Sequence, residues 1–306
     1  MVILMRFTIE PAPPYDFDLS ARIFSNGDSE IRKFENGKFS QILRVGRLVR
    51  IVIKSKGSVE NPLLIVELKS QDDLSSSQIR SVSSIISKIF NLDFDLNPFY
   101  HRVKKDKVIG KLIYHLCGLK SPITPTLFEA MIDSIIEQQI SLKAAHSIEN
   151  RLIKSFGDSM KLGNNIYYAY PSPENLAYLE LQDLRDCGVS FRKAEYIRDV
   201  SLNMVNRKLQ PESIENMDNT KEMIEALTKI RGIGVWTAEL TLLRGLSRFD
   251  ALPADDIGLR RAISHFYRDN AKISATEARE IARTWGKWKG LAGYYLIMAE
   301  ILNLNL

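Results

Sequence analysis

Residues 1–70 alternate between apolar and polar positions, which is the spacing of β-strands that bury one face. Turn dipeptides stand at Asn26-Gly27 and Asn36-Gly37, and β-branched side chains are concentrated over residues 49–53. After the polar stretch 70–77, apolar residues recur at helical spacing, at Ile79, Val82, Ile85, Ile86, Ile89 and Phe90. The pattern predicts an antiparallel sheet covered by one helix, a small α+β domain over residues 1–98.

Strand signals stop there, and helix-start signals repeat along the rest of the chain. Capping side chains precede the apolar-periodic segments at Thr126, Ser141, Ser190, Asn219 and Ser274. Glu129 completes a capping box with Thr126, Pro173 stands in the first turn of another helix, and Gly157 marks an expected helix end. Residues 99–306 are therefore predicted to be all helical.

The composition indicates a folded protein. The chain has 306 residues, of which 45% are hydrophobic and 26% charged, so disorder is excluded and two or three lobes with their own cores are expected. The longest apolar runs are far too short to span a membrane, and residues 1–11 have the pattern of a strand and not of a signal peptide. We expect an intracellular protein that is neither secreted nor inserted in a membrane.

Lys and Arg outnumber Asp and Glu by 42 to 37, and the resulting net charge of +5 permits a nucleic-acid partner without requiring one. The two cysteines, Cys117 and Cys187, cannot build a four-cysteine zinc or iron–sulfur site, and the four histidines lack ligand-like spacing. We therefore expect no iron–sulfur cluster, no catalytic transition metal and no required cofactor.

A tight turn with two glycines follows a predicted helix that ends near Lys229. Gly232 and Gly234 permit positive φ and close backbone approach, so amides of the turn and of the next helix can point at an anion. Such a turn is a helix-hairpin-helix, and its ligand is a DNA phosphate. Glycine also ends ordinary helices, and for a bare Gly-x-Gly pair that interpretation is the more common one.

The sequence downstream of the turn changes this balance. Leu252-Pro253-Ala254-Asp255-Asp256 is a proline-bearing loop that ends in two aspartates and opens a helix. Together with residues 95–100, 135–141, 188–194 and 285–288, it resembles the helix-hairpin-helix/Gly-Pro-Asp DNA glycosylase superfamily, and within it the 3-methyladenine DNA glycosylase II branch. The resemblance covers residues 95–306. It implies a helical core of two lobes with a cleft, and a monomeric enzyme whose partner is double-stranded DNA with a damaged base.

By this resemblance Asp256 is the catalytic carboxylate. Breaking an N-glycosidic bond develops positive charge on the sugar, which an ionised carboxylate near C1′ stabilises. The positive end of the helix that Asp256 opens favours its charge, whereas Asp255 opposes it. The alternative interpretation is that one or both aspartates only cap the helix, a role that suits Asp255.

Trp236 bears on the type of reaction. Bifunctional members of the superfamily carry a lysine there for Schiff-base chemistry, so the resemblance implies a monofunctional enzyme that leaves an abasic site. A core tryptophan is an equally common interpretation of the same residue.

The resemblance also assigns residues to base extrusion. Gln139 takes the position of the wedge that fills the gap in the duplex, with Gln138 beside it, where this branch can use leucine. An exposed glutamine pair at a helix end is otherwise a solvated terminus.

The base pocket is the least regular part of the resemblance. We expect it to contain Trp236, Tyr294, Tyr295 and Gln138, because electron-poor bases bind to aromatic faces. Leu240 and Ile257 stand where tyrosines occur in the family. For at least one of Tyr294 and Tyr295, simple helix packing is the alternative interpretation. Oxidised or deaminated purines therefore remain open as substrates.

The phosphate-binding hairpin is expected to comprise Arg231, Gly232, Ile233 and Gly234, with Arg244 as a further source of charge. Family hairpins hold a structural Na+ or K+ through backbone carbonyls, which here are those of Thr228, Ile230 and Ile233. A DNA-binding module without catalysis would use the same hairpin, and the Asp256 loop argues against that function.

Overall fold

The computed structural model describes residues 3–304, so Met1 and Val2 of the predicted first strand and Asn305 and Leu306 of the predicted helical region lie outside the described residues. The strands are β1 (Ile3–Ile9), β2 (Arg32–Glu35), β3 (Lys38–Arg44), β4 (Leu48–Ser55), β5 (Leu64–Ser70), β6 (Ser159–Leu162) and β7 (Asn165–Tyr168). The helices are α1 (Phe17–Phe24), α2 (Ser76–Ile89), α3 (Asn97–Val103), α4 (Ile109–His115), α5 (Leu127–Glu137), α6 (Leu142–Phe156), α7 (Pro173–Ala177), α8 (Leu181–Asp186), α9 (Phe191–Val205), α10 (Pro211–Glu215), α11 (Thr220–Thr228), α12 (Val235–Leu246), α13 (Ile257–Arg268), α14 (Ala275–Ala282), the 3₁₀ helix η1 (Arg283–Trp288) and α15 (Lys289–Ile301).

Within residues 3–304, five strands form the predicted antiparallel sheet, in the order β1-β5-β4-β3-β2. Asn36 and Gly37 make a two-residue turn with positive φ at both positions, 52° and 68°, as a tight hairpin between right-twisted strands requires. The buried face of the sheet packs on the predicted helix α2, and the apolar cluster between them includes Phe39, Val49, Ile51, Ile53, Val66, Val82, Ile86 and Ile89.

The sequence pattern does not predict helix α1. Asp16 caps it by accepting a hydrogen bond from the Leu19 amide at 2.9 Å, while Phe17 and Ala21 face the core. Over so short a segment, apolar residues fit both a strand and a helical spacing, so the strand-like alternation conceals one helix.

The remaining helices pack around two apolar clusters. One cluster is built on α5, α6, α9, α11 and α12, and the other on α3, α4, α13, α15 and η1. The predicted caps at Thr126, Ser141, Ser190, Asn219 and Ser274 all accept backbone hydrogen bonds at helix starts. None of the helices in residues 3–304 has the length and apolar character that a membrane crossing needs.

A short hairpin interrupts the region predicted to be all helical. Strands β6 and β7 pair antiparallel, with a positive φ at Gly163 in the turn between them. Met160 and Leu162 are buried in a small cluster with Ile42 of the sheet. The all-helical prediction is corrected here, because two pairing strands of four residues each are too short for a clear alternation.

Buried polar contacts join the sheet domain to the helices. The Lys120 ammonium donates to the carbonyl oxygens of Ala12 and Leu92, both at 2.8 Å, and burial lowers the pKa of Lys120 to about 8. Arg32 of β2 pairs with Glu149 of α6 at 3.0 Å, and both side chains are buried. Desolvated ions of this kind are costly to leave unpaired, so the two parts of the chain depend on each other.

Two further acids are buried near Arg32. Tyr170 donates to Asp133 at 2.7 Å, and burial raises the pKa of Asp133 well above its usual range. Burial also raises the pKa of Glu129 from 4.5 to about 7, since Arg32 offsets the desolvation only in part. The folded protein therefore binds a proton at Glu129 over a pH range in which the unfolded chain does not.

Replacing Glu129 by Gln tests this protonation. With a folded pKa of about 7 and an unfolded pKa near 4.5, stability from the bound proton is fully present below pH 4.5 and is lost as the pH rises through 7. We expect Glu129→Gln to flatten this loss and to exceed the wild type at pH 8 by about 1–3 kcal/mol. Urea unfolding between pH 4.5 and 8 measures the difference, and the exposed Glu10→Gln is the matched control. Parallel pH profiles for the wild type and Glu129→Gln would contradict the assignment.

Candidate active site

The turn between α11 and α12 packs closely against the ring of Tyr196. Gly232 has a φ of +92°, and a Cβ at this position would lie 2.2 Å from the Tyr196 Cγ. Only glycine meets both conditions. Gly234 is extended, with a φ of −87°, so of the two glycines that permit positive φ only Gly232 adopts it.

Gly234 serves the turn in another way. It is the N-cap of α12, and within residues 3–304 no capping side chain accepts from the first amides of that helix. A Cβ at Gly234 would meet nothing within 4 Å. The positive end of α12 is therefore open to an anion, as the sequence predicts.

Arg231 joins the turn to α9. Its guanidinium donates to Asp199 at 2.8 Å and to Glu195 at 2.9 Å, and lies 5.4 Å from the centroid of the Tyr196 ring. These contacts use one N–H from each terminal nitrogen, and the contact of Arg231 with phosphate stays a prediction.

The turn that follows α5 carries Gln139, which is exposed and has a φ of +58°. A residue other than glycine adopts this left-handed conformation at an energetic cost, which the surroundings must compensate. The Lys193 ammonium donates to the carbonyl oxygens of Ile136 at 2.8 Å and of Gln138 at 2.6 Å. Lys193 thereby caps the end of α5 and holds the turn against α9.

Gln138 connects the same turn to the glycine turn. Its amide nitrogen donates to the Gly232 carbonyl at 2.9 Å and to the Thr237 hydroxyl at 3.0 Å. The donors of the Gln138 side chain are thus committed to the hairpin, and its place in the base pocket stays a prediction that only its Oε1 could serve. Sequence reasoning missed Lys193, although its place in the first turn of α9, after the Ser190 cap, was a usable signal.

Asp256 is the N-cap of α13. Its Oδ1 accepts from the Leu259 amide at 2.7 Å, its side chain is half-buried, and no hydrogen bond to Oδ2 is formed within the described residues. The expectation that Asp255 suits the cap is wrong, since Asp255 is exposed and its Oδ2 lies 3.8 Å from Arg279. One oxygen of Asp256 thus fixes the carboxylate and the other is left for chemistry.

A buried ion pair supports the loop that leads to Asp256. Arg279 of α14 donates to both carboxylate oxygens of Glu239 on α12, at 2.9 and 3.0 Å, and to the Leu252 carbonyl at 3.0 Å. Glu239 is only 4% exposed, whereas Arg279 is partly exposed, so the carboxylate end of this bidentate contact is the shielded one. The pair fixes the aspartate loop relative to the helix that begins at the hairpin, and the sequence reasoning did not identify it.

Arg244 lies near Asp256 and near the end of α5. It forms an ion pair with Glu137. Burial lowers the pKa of Arg244, but the charges of Glu137, Asp133 and Asp256 outweigh burial and raise it. Arg244 is thus surrounded by acids that offset its charge, and its contact with phosphate stays a prediction.

The predicted aromatic residues separate into two groups. The Trp236 Nε1 and the Tyr294 hydroxyl are buried, and neither has a hydrogen-bond partner within the described residues. Burial raises the pKa of Tyr294, although the nearby charge of Arg244 acts against it. Such unpaired donors are costly in a closed core and are expected in a site that receives a polar ligand.

Tyr295 is a core residue, and its assignment to the pocket is corrected. Its ring is fully buried, its hydroxyl donates to the Leu119 carbonyl at 2.7 Å, and the Tyr100 hydroxyl lies 3.2 Å away. Leu240 is also buried, whereas Ile257 is 75% exposed beside Asp256. For Trp236 and Tyr294 the place in the base pocket stays a prediction.

The carbonyl cation site stays a prediction. The Ile230 carbonyl accepts a hydrogen bond from the Ile233 amide at 3.0 Å, which closes the turn in which Thr228, Ile230 and Ile233 would present their oxygens. Among residues 3–304, no group of three or more His, Cys, Asp or Glu side chains is placed to hold a metal ion.

Comparison with known proteins adds the family. A model of the HhH-GPD superfamily of base excision DNA repair proteins matches residues 132–287. A DNA-3-methyladenine glycosylase of Bacillus subtilis is 31% identical over 287 residues, covering 92% of this chain and 94% of that protein. The structure of a 3-methyladenine DNA-glycosylase from Archaeoglobus fulgidus matches 98% of this chain and 100% of its own, with 25% identity and a TM-score of 0.85.

A third relative is a DNA complex. The structure of a Schizosaccharomyces pombe 3-methyladenine DNA glycosylase with abasic DNA matches 69% of this chain and 100% of its own, with 25% identity and a TM-score of 0.58. The hairpin, the aspartate loop and the helical lobes all lie in the region that the family model or these proteins match. The protein therefore belongs to the HhH-GPD superfamily of base excision DNA repair proteins.

Proposed function

We propose that the protein is a monofunctional DNA N-glycosylase that extrudes an alkylated purine from duplex DNA and hydrolyses its N-glycosidic bond. The observation that carries the proposal is the geometry of Asp256: Oδ1 is fixed by the Leu259 amide at 2.7 Å, and the half-buried side chain opens α13 beside the cleft. The names of the relatives, DNA-3-methyladenine glycosylases, support the alkylated substrate.

In this mechanism Asp256 acts on the sugar. The bond between C1′ and the base nitrogen breaks, the bonding electrons leave with the base, and C1′ gains cationic character that the carboxylate stabilises. Water then adds to C1′ and loses a proton, which leaves an abasic site. The ion pair of Arg244 is made with Glu137, which leaves Asp256 without a salt bridge within the described residues.

Trp236 explains the absence of strand cleavage in this proposal. It presents an indole at the start of α12, where an amine nucleophile would have to stand to form a Schiff base. The indole and the Tyr294 ring supply apolar faces for a cationic alkylated base, and their unpaired donors can hydrogen-bond its edge.

Extrusion is assigned to the turn at Gln139. Its exposed left-handed position lets the side chain enter the duplex, and Lys193 and Gln138 act as positioning residues that fasten the turn to α9 and to the hairpin. The open amides at Gly234 bind a phosphate of the damaged strand in the same step.

Asp256→Asn separates catalysis from folding. The amide oxygen of Asn can still cap α13, so the fold and DNA binding should persist, whereas base release should fall by about 10²–10³-fold because the charge is lost. Single-turnover assays on methylated duplex DNA and on duplexes with hypoxanthine or 8-oxoguanine, with and without hot alkali, measure this. Asp255→Asn is the neighbouring control and should stay within a few-fold of the wild type.

Three outcomes would contradict the proposal. Wild-type release by Asp256→Asn would remove the carboxylate from the mechanism. Strand breaks without alkali would show lyase chemistry despite Trp236. Salt-sensitive binding without release from any duplex would indicate a DNA-binding module.

Lys193→Met tests the positioning of the wedge. Without the ammonium the turn is no longer held, so release of a lesion paired with its normal partner should slow by roughly tenfold, about 1.4 kcal/mol. Release of the same lesion opposite an abasic site should change little, because less pairing energy has to be overcome. Single-turnover rates on the two duplexes give the ratio, with the exposed Lys208→Met as control. An equal loss on both duplexes would indicate a general structural defect instead.

A further inference from the structure

The positive charge of the protein is concentrated in one short segment. Residues 101–115 contain Arg102, Lys104, Lys105, Lys107 and Lys111 and a single acid, Asp106, so their net charge is 5 − 1 = +4, compared with +5 for all 306 residues. The remainder of the chain is therefore close to neutral. A segment with this much of the total charge calls for a physical explanation, because like charges repel.

The acid in this segment is turned into the protein. Asp106 Oδ1 accepts from the Val108 amide at 2.9 Å, the Ile109 amide at 3.0 Å and the Tyr267 hydroxyl at 2.6 Å, and Oδ2 accepts from the Trp285 indole at 3.1 Å. With both oxygens engaged, Asp106 shapes the turn between α3 and α4. It does not neutralise the lysines on either side of it.

The basic side chains point the other way. Arg102, Lys104, Lys105, Lys107 and Lys111, which we call the basic surface, are all exposed. No ion pair involving any of these five forms within residues 3–304. The opposite faces of α3 and α4 are apolar and buried in the core with Trp285. The basic surface is thus a rigidly anchored turn with charges on its outer side.

Helix α13 runs from Asp256 to the basic surface. Asp256 begins this helix of 12 residues, and Tyr267, which bonds Asp106, lies in its last turn. At 1.5 Å per residue the helix is about 18 Å long. The basic surface therefore lies outside the cleft, at a distance from Asp256 that corresponds to about five base pairs of duplex at 3.4 Å each.

We propose that the basic surface is a second contact for duplex DNA, which binds the phosphate backbone of the flanking DNA independently of the lesion. Unneutralised lysines on a fixed turn match a regularly spaced polyanion, and releasing the counterions of the DNA provides the driving force. The contact would carry no sequence information, so it would hold the protein on undamaged DNA while the cleft is empty.

Two matched fourfold variants test the proposal. The first replaces Lys104, Lys105, Lys107 and Lys111 by Gln. The control replaces the exposed Lys38, Lys54, Lys56 and Lys208 by Gln and changes the net charge by the same amount. Binding of each protein to an undamaged 30-base-pair duplex is measured as a function of salt concentration.

We expect the slope of log K against log salt to become shallower in the first variant by about 0.9 for each phosphate that the protein no longer neutralises, up to about 3.6, with little change in the control. On a short duplex with about four base pairs on each side of an abasic site, both variants should match the wild type. Equal slopes for the two variants on the long duplex would overturn the proposal. An equal weakening on the short and long duplexes would also overturn it, since the surface would then belong to the cleft.

The test does not depend on the excision chemistry. Asp256→Asn should keep the wild-type slope on undamaged DNA, and the first variant should release a lesion base at the wild-type rate from an equally short duplex that carries the lesion in place of the abasic site. If the first variant instead bound vesicles of anionic lipid more weakly than the control did, with an unchanged DNA slope, the surface would belong to a different partner and the proposal would be refuted.

Discussion

The structure depends on a steric constraint at Gly232, where the ring of Tyr196 occupies the space that any side chain would need. Helix α9 also makes the other contacts that hold the turn of Gly232 and the turn of Gln139. Glu195 and Asp199 hold Arg231 on one side, and Lys193 holds the turn of Gln139 on the other. Because these contacts lie along one rigid helix, the turn of Gly232 and the turn of Gln139, to which the proposal assigns phosphate binding and base extrusion, are fixed relative to each other.

Helix α12 connects these turns to Asp256, the carboxylate that the proposal makes catalytic. The Thr237 hydroxyl in its first turn accepts a hydrogen bond from the Gln138 amide nitrogen. Two residues further along, Glu239 anchors Arg279, which holds the aspartate loop. The helix lies close to α5 because Gly245 leaves room there: an added Cβ would come within 3.0 Å of Ala130. Both lobes thus make contacts with α12, and these contacts fix the distance between Gln139 and Asp256.

The sequence predicts the elements of this fold better than their contacts. Helix caps such as Ser141 and Ser274, the turn at Asn36, and the position of Asp256 at a helix start all follow from local chemistry that acts within a few residues. Arg231 and Tyr295 could not be assigned in this way, because their partners lie far away in the sequence, on α9 and near Leu119. A long polar side chain can reach several partners, and only the tertiary structure selects one. Helix α1 and the β6–β7 hairpin are missed for the opposite reason, since segments so short have too weak a period.

The ion pair between Arg32 and Glu149 makes the charge balance of the helices depend on the sheet. Arg32 belongs to the sheet, whereas Glu129, Asp133 and Glu149 belong to the helices. Burial raises the pKa of Glu129 and of Asp133, and the charge of Arg32 offsets part of this effect. A helical region produced without the sheet would leave Glu149 without its cation, so it would need neutral residues in place of these acids to fold as an independent unit.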